Sequence, residues 1–134
     1  MTANEILAMP ASEYMGQAQL EFFEALLRQR LVEAAQGIAT AREALAGLGV
    51  ASDSLDQASI EEDRQAIART LERLNAQVVA IKSSLKAISD GDYGWCEATG
   101  EEIGLARLIA QPTARLSAPA QALHESVSRH YVAA

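Results

Sequence analysis

Between Ser12 and Leu48 no proline interrupts the chain, and apolar residues recur in two seven-residue series: Leu20, Leu27, Ala34, Ala41, Leu48 and Leu31, Ile38, Leu45, with Glu24 breaking the second. These are the a and d positions of a heptad, the period at which a helix lays a narrow apolar stripe against another helix. At 1.5 Å per residue a helix over this window is ~55 Å long. A second series, Ile60, Ile67, Leu71, Leu74, Val78, Ile81, Leu85, Ile88, runs at the same period further along. Gly47-Leu48-Gly49 separates the two, with Gly49 as the expected helix stop, and Val50 to Ser59 is short and polar, with Ser52, Asp53, Ser54 and Asp56. Such a stretch predicts a turn and a fresh helix cap. Two long helices with matching stripes and a short connection bury their apolar faces most simply by folding back on each other as an antiparallel coiled coil.

The helical pattern ends in the turn cluster Ser89-Asp90-Gly91-Asp92, and a compact region follows from Tyr93 to about Leu116, with Gly94, Gly100 and Gly104 in short succession. A last helix is predicted from Pro119 to about Val132, started by Ser117 or Ala118, with Ala122, Leu123, Val127 and Tyr131 as its buried face. The expected fold is mostly α: a long antiparallel two-helix coiled coil, a small globular head and a C-terminal helix. Its expected divisions are an N-terminal segment 1–11, a hairpin 12–90 with its tip at 49–59, and a head with the last helix, 91–134.

Composition narrows the function. At 134 residues the chain is too short for a large multidomain enzyme. A net charge of -7 repels phosphate backbones, so direct DNA binding is not expected. Met1 to Pro10 has neither the basic start nor the apolar run of a secretory signal, so a soluble, cytoplasmic protein is expected. The single cysteine, Cys96, excludes an intramolecular disulfide. His124 and His130 are six apart, on different faces of a helix, which disfavours a shared metal. No local signature pairs Cys96 with a histidine, and no glycine-rich phosphate loop is present. An enzyme is therefore not expected.

Asp53 and Asp56 lie in the predicted tip. Carboxylates three residues apart there cap a helix start and offset its dipole, or else are charges that the long hairpin carries to a target.

The segment YGWCEATGEEIGLARLIAQPTARLSAPAQAL, from Tyr93 to Leu123, resembles the zinc-finger region of the DksA/TraR family of transcription factors. It keeps Tyr93, Gly94, Cys96, Gly100, Glu102, Ile103, Gly104, Arg107, Leu108, Pro112, Thr113, Ala114 and Leu116. EYMGQAQLEFFEALL, from Glu13, is similar to the opening of the family's first coiled-coil helix, and Asp53-Ser54-Leu55-Asp56-Gln57-Ala58 fits its D-x-x-D-x-A tip. The full hairpin places the chain nearer the long DksA type than the short TraR type.

The resemblance implies a monomeric regulator that binds RNA polymerase through its secondary channel and brings Asp53, Asp56 and Ala58 near the active site. There it would act on promoter complexes, ribosomal RNA promoters of the stringent response among them. Arg69, Arg73 and Arg107 match basic residues of the family and are candidate polymerase contacts. At the four zinc positions stand Cys96, Thr99, Ser117 and Ala120, so zinc is not expected. The zinc-finger-like head must then hold by packing of Tyr93, Trp95, Ile103, Leu105, Leu108, Ile109, Leu116 and Leu123, helped by hydrogen bonds from Thr99 and Ser117. Where the family carries basic residues for the alarmone ppGpp, this chain has Ala80, Gln111 and Gln121, which implies weakened synergy with that effector. Two rivals remain: a Gre-type transcript-cleavage factor, whose tip carboxylates would hold magnesium, and a coiled-coil adaptor with no polymerase contact.

Overall fold

In the computed structural model, residues 1–50 and 53–133 are described, with the side chains of 131–133 left aside; Ser52 and the side chain of Tyr131 thus lie outside the described residues. The elements in order are α1 (Ala3–Leu7), a 3-10 turn (Ala11–Glu13), α2 (Gln17–Ala46), α3 (Ser54–Asp90), α4 (Leu105–Ala110) and α5 (Ala118–Ala133). Among the described residues there is no β-strand, only an isolated antiparallel bridge between Trp95 and Glu102. The fold is mostly helical, and α2 and α3 pack together as a coiled-coil hairpin. Two compact units divide the chain: Arg28–Lys82, and Met1–Leu27 together with Ser83–Ala134.

Within Arg28–Lys82 the heptad seam is the core. Ala34, Ala41, Leu74 and Ile81 are buried, and Leu31, Ile38, Ile67, Leu71 and Val78 are partly so. Small residues on α2 allow close approach: a Cβ added at Gly37 would lie 3.1 Å from Leu74 Cδ1. α2 ends at Ala46, earlier than the Leu48 of the heptad series. Gly49, with φ 61, then turns the chain in a conformation that side-chain-bearing residues resist.

α3 begins at Ser54, inside the stretch expected to be turn. The fresh cap expected in that stretch is Asp53, whose side chain supplies the hydrogen bond that lets the helix start.

The other unit gathers both ends of the sequence. α2 begins at Gln17, five residues later than the proline-free window allows, because a 3-10 turn follows Pro10 and Met15 adopts φ 54 ahead of Gly16. Phe23 and Leu27 are fully buried, whereas Leu20 of the heptad series is only half-buried. Phe23 packs against Tyr93 with ring centroids 5.6 Å apart. Thr2 and Glu5 form a capping box at the start of α1, and its Ile6 is fully buried where α1 packs on α4.

Of the expected head core, Tyr93, Ile103 and Leu108 are buried and Leu105, Ile109 and Leu116 half-buried. Trp95 and Leu123 depart from the expectation at 38% and 67% exposure. Trp95 instead sets its ring edge-on to Tyr14, centroids 5.3 Å apart. The expected buried face of α5 is exposed at Ala122, Leu123 and Val127.

Candidate functional site

The turn before α3 is built by its own sequence. Asp53 accepts the Asp56 N–H on Oδ1 at 2.8 Å, and its carbonyl accepts the Gln57 N–H at 3.0 Å. Asp53 is therefore the cap of α3, and Asp56 is the third residue of the helix, where its charge offsets the positive end of the dipole. Both carboxylates are exposed, as is Leu55 between them in the sequence. Ala58, also exposed, stands two residues beyond Asp56, about 200° further round the helix. The turn thus combines negative charge, an apolar side chain and a small residue.

Arg69 and Arg73, four apart on α3, share an exposed face in the same unit. Arg107 differs from them: it is half-buried, and its Nε donates to the Leu116 carbonyl at 3.0 Å, so it braces the backbone that leads into α5. Ala80 is half-buried on α3. Gln111 follows α4, its N–H donating to the Arg107 carbonyl at 2.8 Å, and Gln121 on α5 donates to Glu125 Oε1 at 3.0 Å. These three positions carry no charge.

Cys96, Thr99, Ser117 and Ala120 converge. Cys96 and Ser117 are buried, at 3% and 6% exposure. Ser117 Oγ accepts the Ala120 N–H at 3.3 Å and so caps α5, while Thr99 Oγ1 accepts the Glu101 N–H at 3.3 Å. The Cys96 thiol is lowered to about 6, chiefly by the hydrogen bond from the Thr99 hydroxyl and then by the Ser117 N–H, against a burial that acts in the opposite direction.

Other contacts here had no periodic signal to announce them. The Tyr14 hydroxyl donates to the Gly94 carbonyl at 2.6 Å and accepts the Gly104 N–H at 3.0 Å. Tyr93, whose hydroxyl donates to the Pro112 carbonyl at 2.8 Å, is raised far above the ordinary phenol by burial. Arg115 and Glu97 pair through Nη2 and Oε1 at 2.8 Å.

Fold and site together define a helical-hairpin protein with a finger-type knuckle. Residues 91–126 match the family model of the prokaryotic dksA/traR C4-type zinc finger. The RNA polymerase-binding transcription factor DksA of Caulobacter vibrioides is 40% identical over 121 residues, 87% of this chain and 82% of that protein. The protein of the same name from Escherichia coli K12 is 33% identical over 120 residues, 87% of this chain and 78% of its own. The solved structure of transcription factor DksA2 from Pseudomonas aeruginosa matches with a TM-score of 0.86 at 41% identity, covering 96% of this chain and 100% of that one. The chain belongs to the DksA/TraR family.

A C4-type finger implies zinc, and the donor set here does not fit it. One sulfur faces two neutral hydroxyls that already accept backbone N–H groups, and Ala120 offers no side-chain ligand. Structural zinc requires four nitrogen or sulfur donors.

Proposed function

We propose that this protein is a transcription regulator that binds RNA polymerase through the secondary channel, presents the start of α3 to the active site, and works without zinc. The observation that carries this reading is the likeness to DksA and DksA2 along nearly the whole chain, hairpin and knuckle alike. Asp53 and Asp56 supply the charge, Ala58 the small surface beside it, and Arg69 and Arg73 the basic contacts with polymerase along α3. Arg107 acts more through the head it braces than through a free charge. No membrane span competes with this reading, since no described helix is long and apolar enough to cross a bilayer. The acidic balance suits a factor whose partner is the polymerase rather than DNA.

The effector response follows from charge. Contacts from Lys or Arg to phosphate contribute ~1.5–3 kcal/mol each, and Ala80, Gln111 and Gln121 provide none, so synergy with ppGpp is reduced. Transcription from a ribosomal RNA promoter in vitro, with and without the protein and ppGpp, tests the proposal. Promoter-selective inhibition by the protein alone is expected, with a modest further effect of ppGpp that grows in the Ala80→Lys/Gln111→Arg/Gln121→Lys variant. Cleavage of transcripts in backtracked complexes would identify the Gre-type activity instead. Failure to retain polymerase in a pull-down would leave only the adaptor reading.

A further inference from the structure

A finger whose zinc positions hold Cys96, Thr99, Ser117 and Ala120 still has two arms to join. One arm is the knuckle 94–104, rooted at Tyr93, and the other runs from 111 into the start of α5. The hydroxyls at the zinc positions are engaged locally: Thr99 Oγ1 accepts the Glu101 N–H and Ser117 Oγ the Ala120 N–H, each within its own arm. Between the arms, the Glu97 N–H donates to the Arg115 carbonyl at 2.9 Å, and Arg115 Nη2 reaches Glu97 Oε1 at 2.8 Å. That side-chain pair is largely solvent-facing on the glutamate side, where ion pairs contribute little.

Two tyrosines hold the arms from positions nearer the core. Tyr93 is 1% exposed, with its ring against Phe23 of α2, and its hydroxyl donates to the Pro112 carbonyl of the second arm at 2.8 Å. Breaking that bond would leave a buried hydroxyl and a carbonyl without hydration, which makes it far costlier to lose than an exposed contact. Tyr14, in the turn that leads into α2, uses its hydroxyl twice: it donates to the Gly94 carbonyl at 2.6 Å and accepts the Gly104 N–H at 3.0 Å. Those are the first and last residues of the knuckle, both at positive φ, 93 and 101. The Gly94 carbonyl also accepts the Ile103 N–H at 2.9 Å, so the neck of the knuckle is fastened at two points.

We infer that the Tyr14 and Tyr93 hydroxyls do the joining that a C4-type finger leaves to its metal: Tyr14 closes the neck of the knuckle, and Tyr93 ties its root to the second arm. The inference rests on the zinc-free reading above and goes beyond it by assigning the two phenols the metal's structural part. Tyrosine suits that part because one side chain supplies an apolar ring for packing and a hydroxyl at its far end. The Tyr93 ring has Phe23 as its support, and the Tyr14 ring has the edge-on Trp95, centroids 5.3 Å apart.

The test uses the full-length protein. Tyr93→Phe and Tyr14→Phe keep the rings and remove only the hydroxyls, and each is expected to lower the melting temperature by ~4–8 °C. The same substitutions are then made in Thr99→Cys/Ser117→Cys/Ala120→Cys loaded with zinc, where four thiolates again let a metal join the arms. There each shift should fall below half its native size. Equal shifts in both backgrounds overturn the inference, since the hydroxyls would then be ordinary bonds of the core. Should the triple variant bind no zinc, amide exchange read by NMR decides instead. Gly104 should exchange ~5- to 30-fold faster in Tyr14→Phe, and Glu97, whose N–H crosses between the arms, faster by a similar factor in Tyr93→Phe. Rates unmoved at both amides refute the assignment. Metal analysis separates the two claims: one zinc per native chain sinks the zinc-free reading itself, whereas a metal-free protein whose two phenylalanine variants melt with the parent sinks only the tyrosine inference.

Discussion

Asp53 performs two tasks in the proposed mechanism, and they respond differently to substitution. Its Oδ1 accepts the Asp56 N–H at 2.8 Å, which starts α3, and its charge is offered to the polymerase. Asparagine caps a helix about as well as aspartate but is neutral, whereas alanine does neither. Loss of a cap costs ~0.5–2 kcal/mol, so the Asp56 amide in Asp53→Ala should exchange with solvent ~2- to 30-fold faster than in the parent. In Asp53→Asn that rate should remain within a factor of about two. Hydrogen exchange read by NMR at the Asp56 amide measures the cap, and inhibition of a ribosomal RNA promoter measures the function. If the carboxylate itself acts at the polymerase, both variants lose inhibition even though only alanine loosens the helix. Asp56→Asn, which removes charge and leaves the Asp53 cap in place, should match Asp53→Asn. Full promoter inhibition by Asp53→Asn, with loss confined to Asp53→Ala, would refute the charge argument and reduce Asp53 to a cap.

Three further outcomes follow from the packing and the titration. Ser84 is fully buried with its hydroxyl unpartnered, so Ser84→Ala should raise stability by ~1 kcal/mol in urea unfolding. Gly94→Ala should lower it by ~2 kcal/mol or more, because φ is 93 and the new Cβ would lie 2.6 Å from Met15 Cγ and Sδ; adding Met15→Ala should restore only the part owed to the clash. The Cys96 thiol is held at about 6, below its ordinary value, so its contribution is present in full above the ordinary thiol range and falls as pH drops toward about 6. Melting temperatures from pH 5 to 9 should show this slope in the native protein and not in Cys96→Ala.

The hairpin was legible because a heptad seam needs only spacing: Ala34, Ala41, Leu74 and Ile81 are buried where the period puts them. Spacing does not say what lies opposite, and that is why α5 misled. Leu123 and Val127 recur as a buried stripe would, yet they stand 67% and 47% exposed. The fresh cap expected between Val50 and Ser59 is Asp53, and only the length of turn was overestimated, since α3 already begins at Ser54. At the degenerate finger the positions Cys96, Thr99 and Ser117 were picked out by the family resemblance, while the backbone N–H groups that the Thr99 and Ser117 hydroxyls accept were not. Tyr14 was beyond reach, because its partners Gly94 and Gly104 lie 80 and 90 positions away with no pattern linking them. The Thr2/Glu5 capping box was available in the sequence as a T-x-x-E signature and would have announced α1.

That same Tyr14 hydroxyl says something about how the chain comes into being. The unit it belongs to is assembled from Met1–Leu27 and Ser83–Ala134, so its first third leaves the ribosome long before the rest exists. Ile6 and Phe23, fully buried at the end, have to wait in water until Leu108 and Tyr93 are made. The stretch Arg28–Lys82, whose seam is its own core, would shorten the loop that Tyr14 must close if it paired first, in place of a search over ~80 residues. Synthesis order therefore makes the hairpin a folding template for the two ends of its own chain. A chain released before Tyr93 would leave Ile6 and Phe23 without the residues that bury them, an apolar beginning that quality control would be expected to meet.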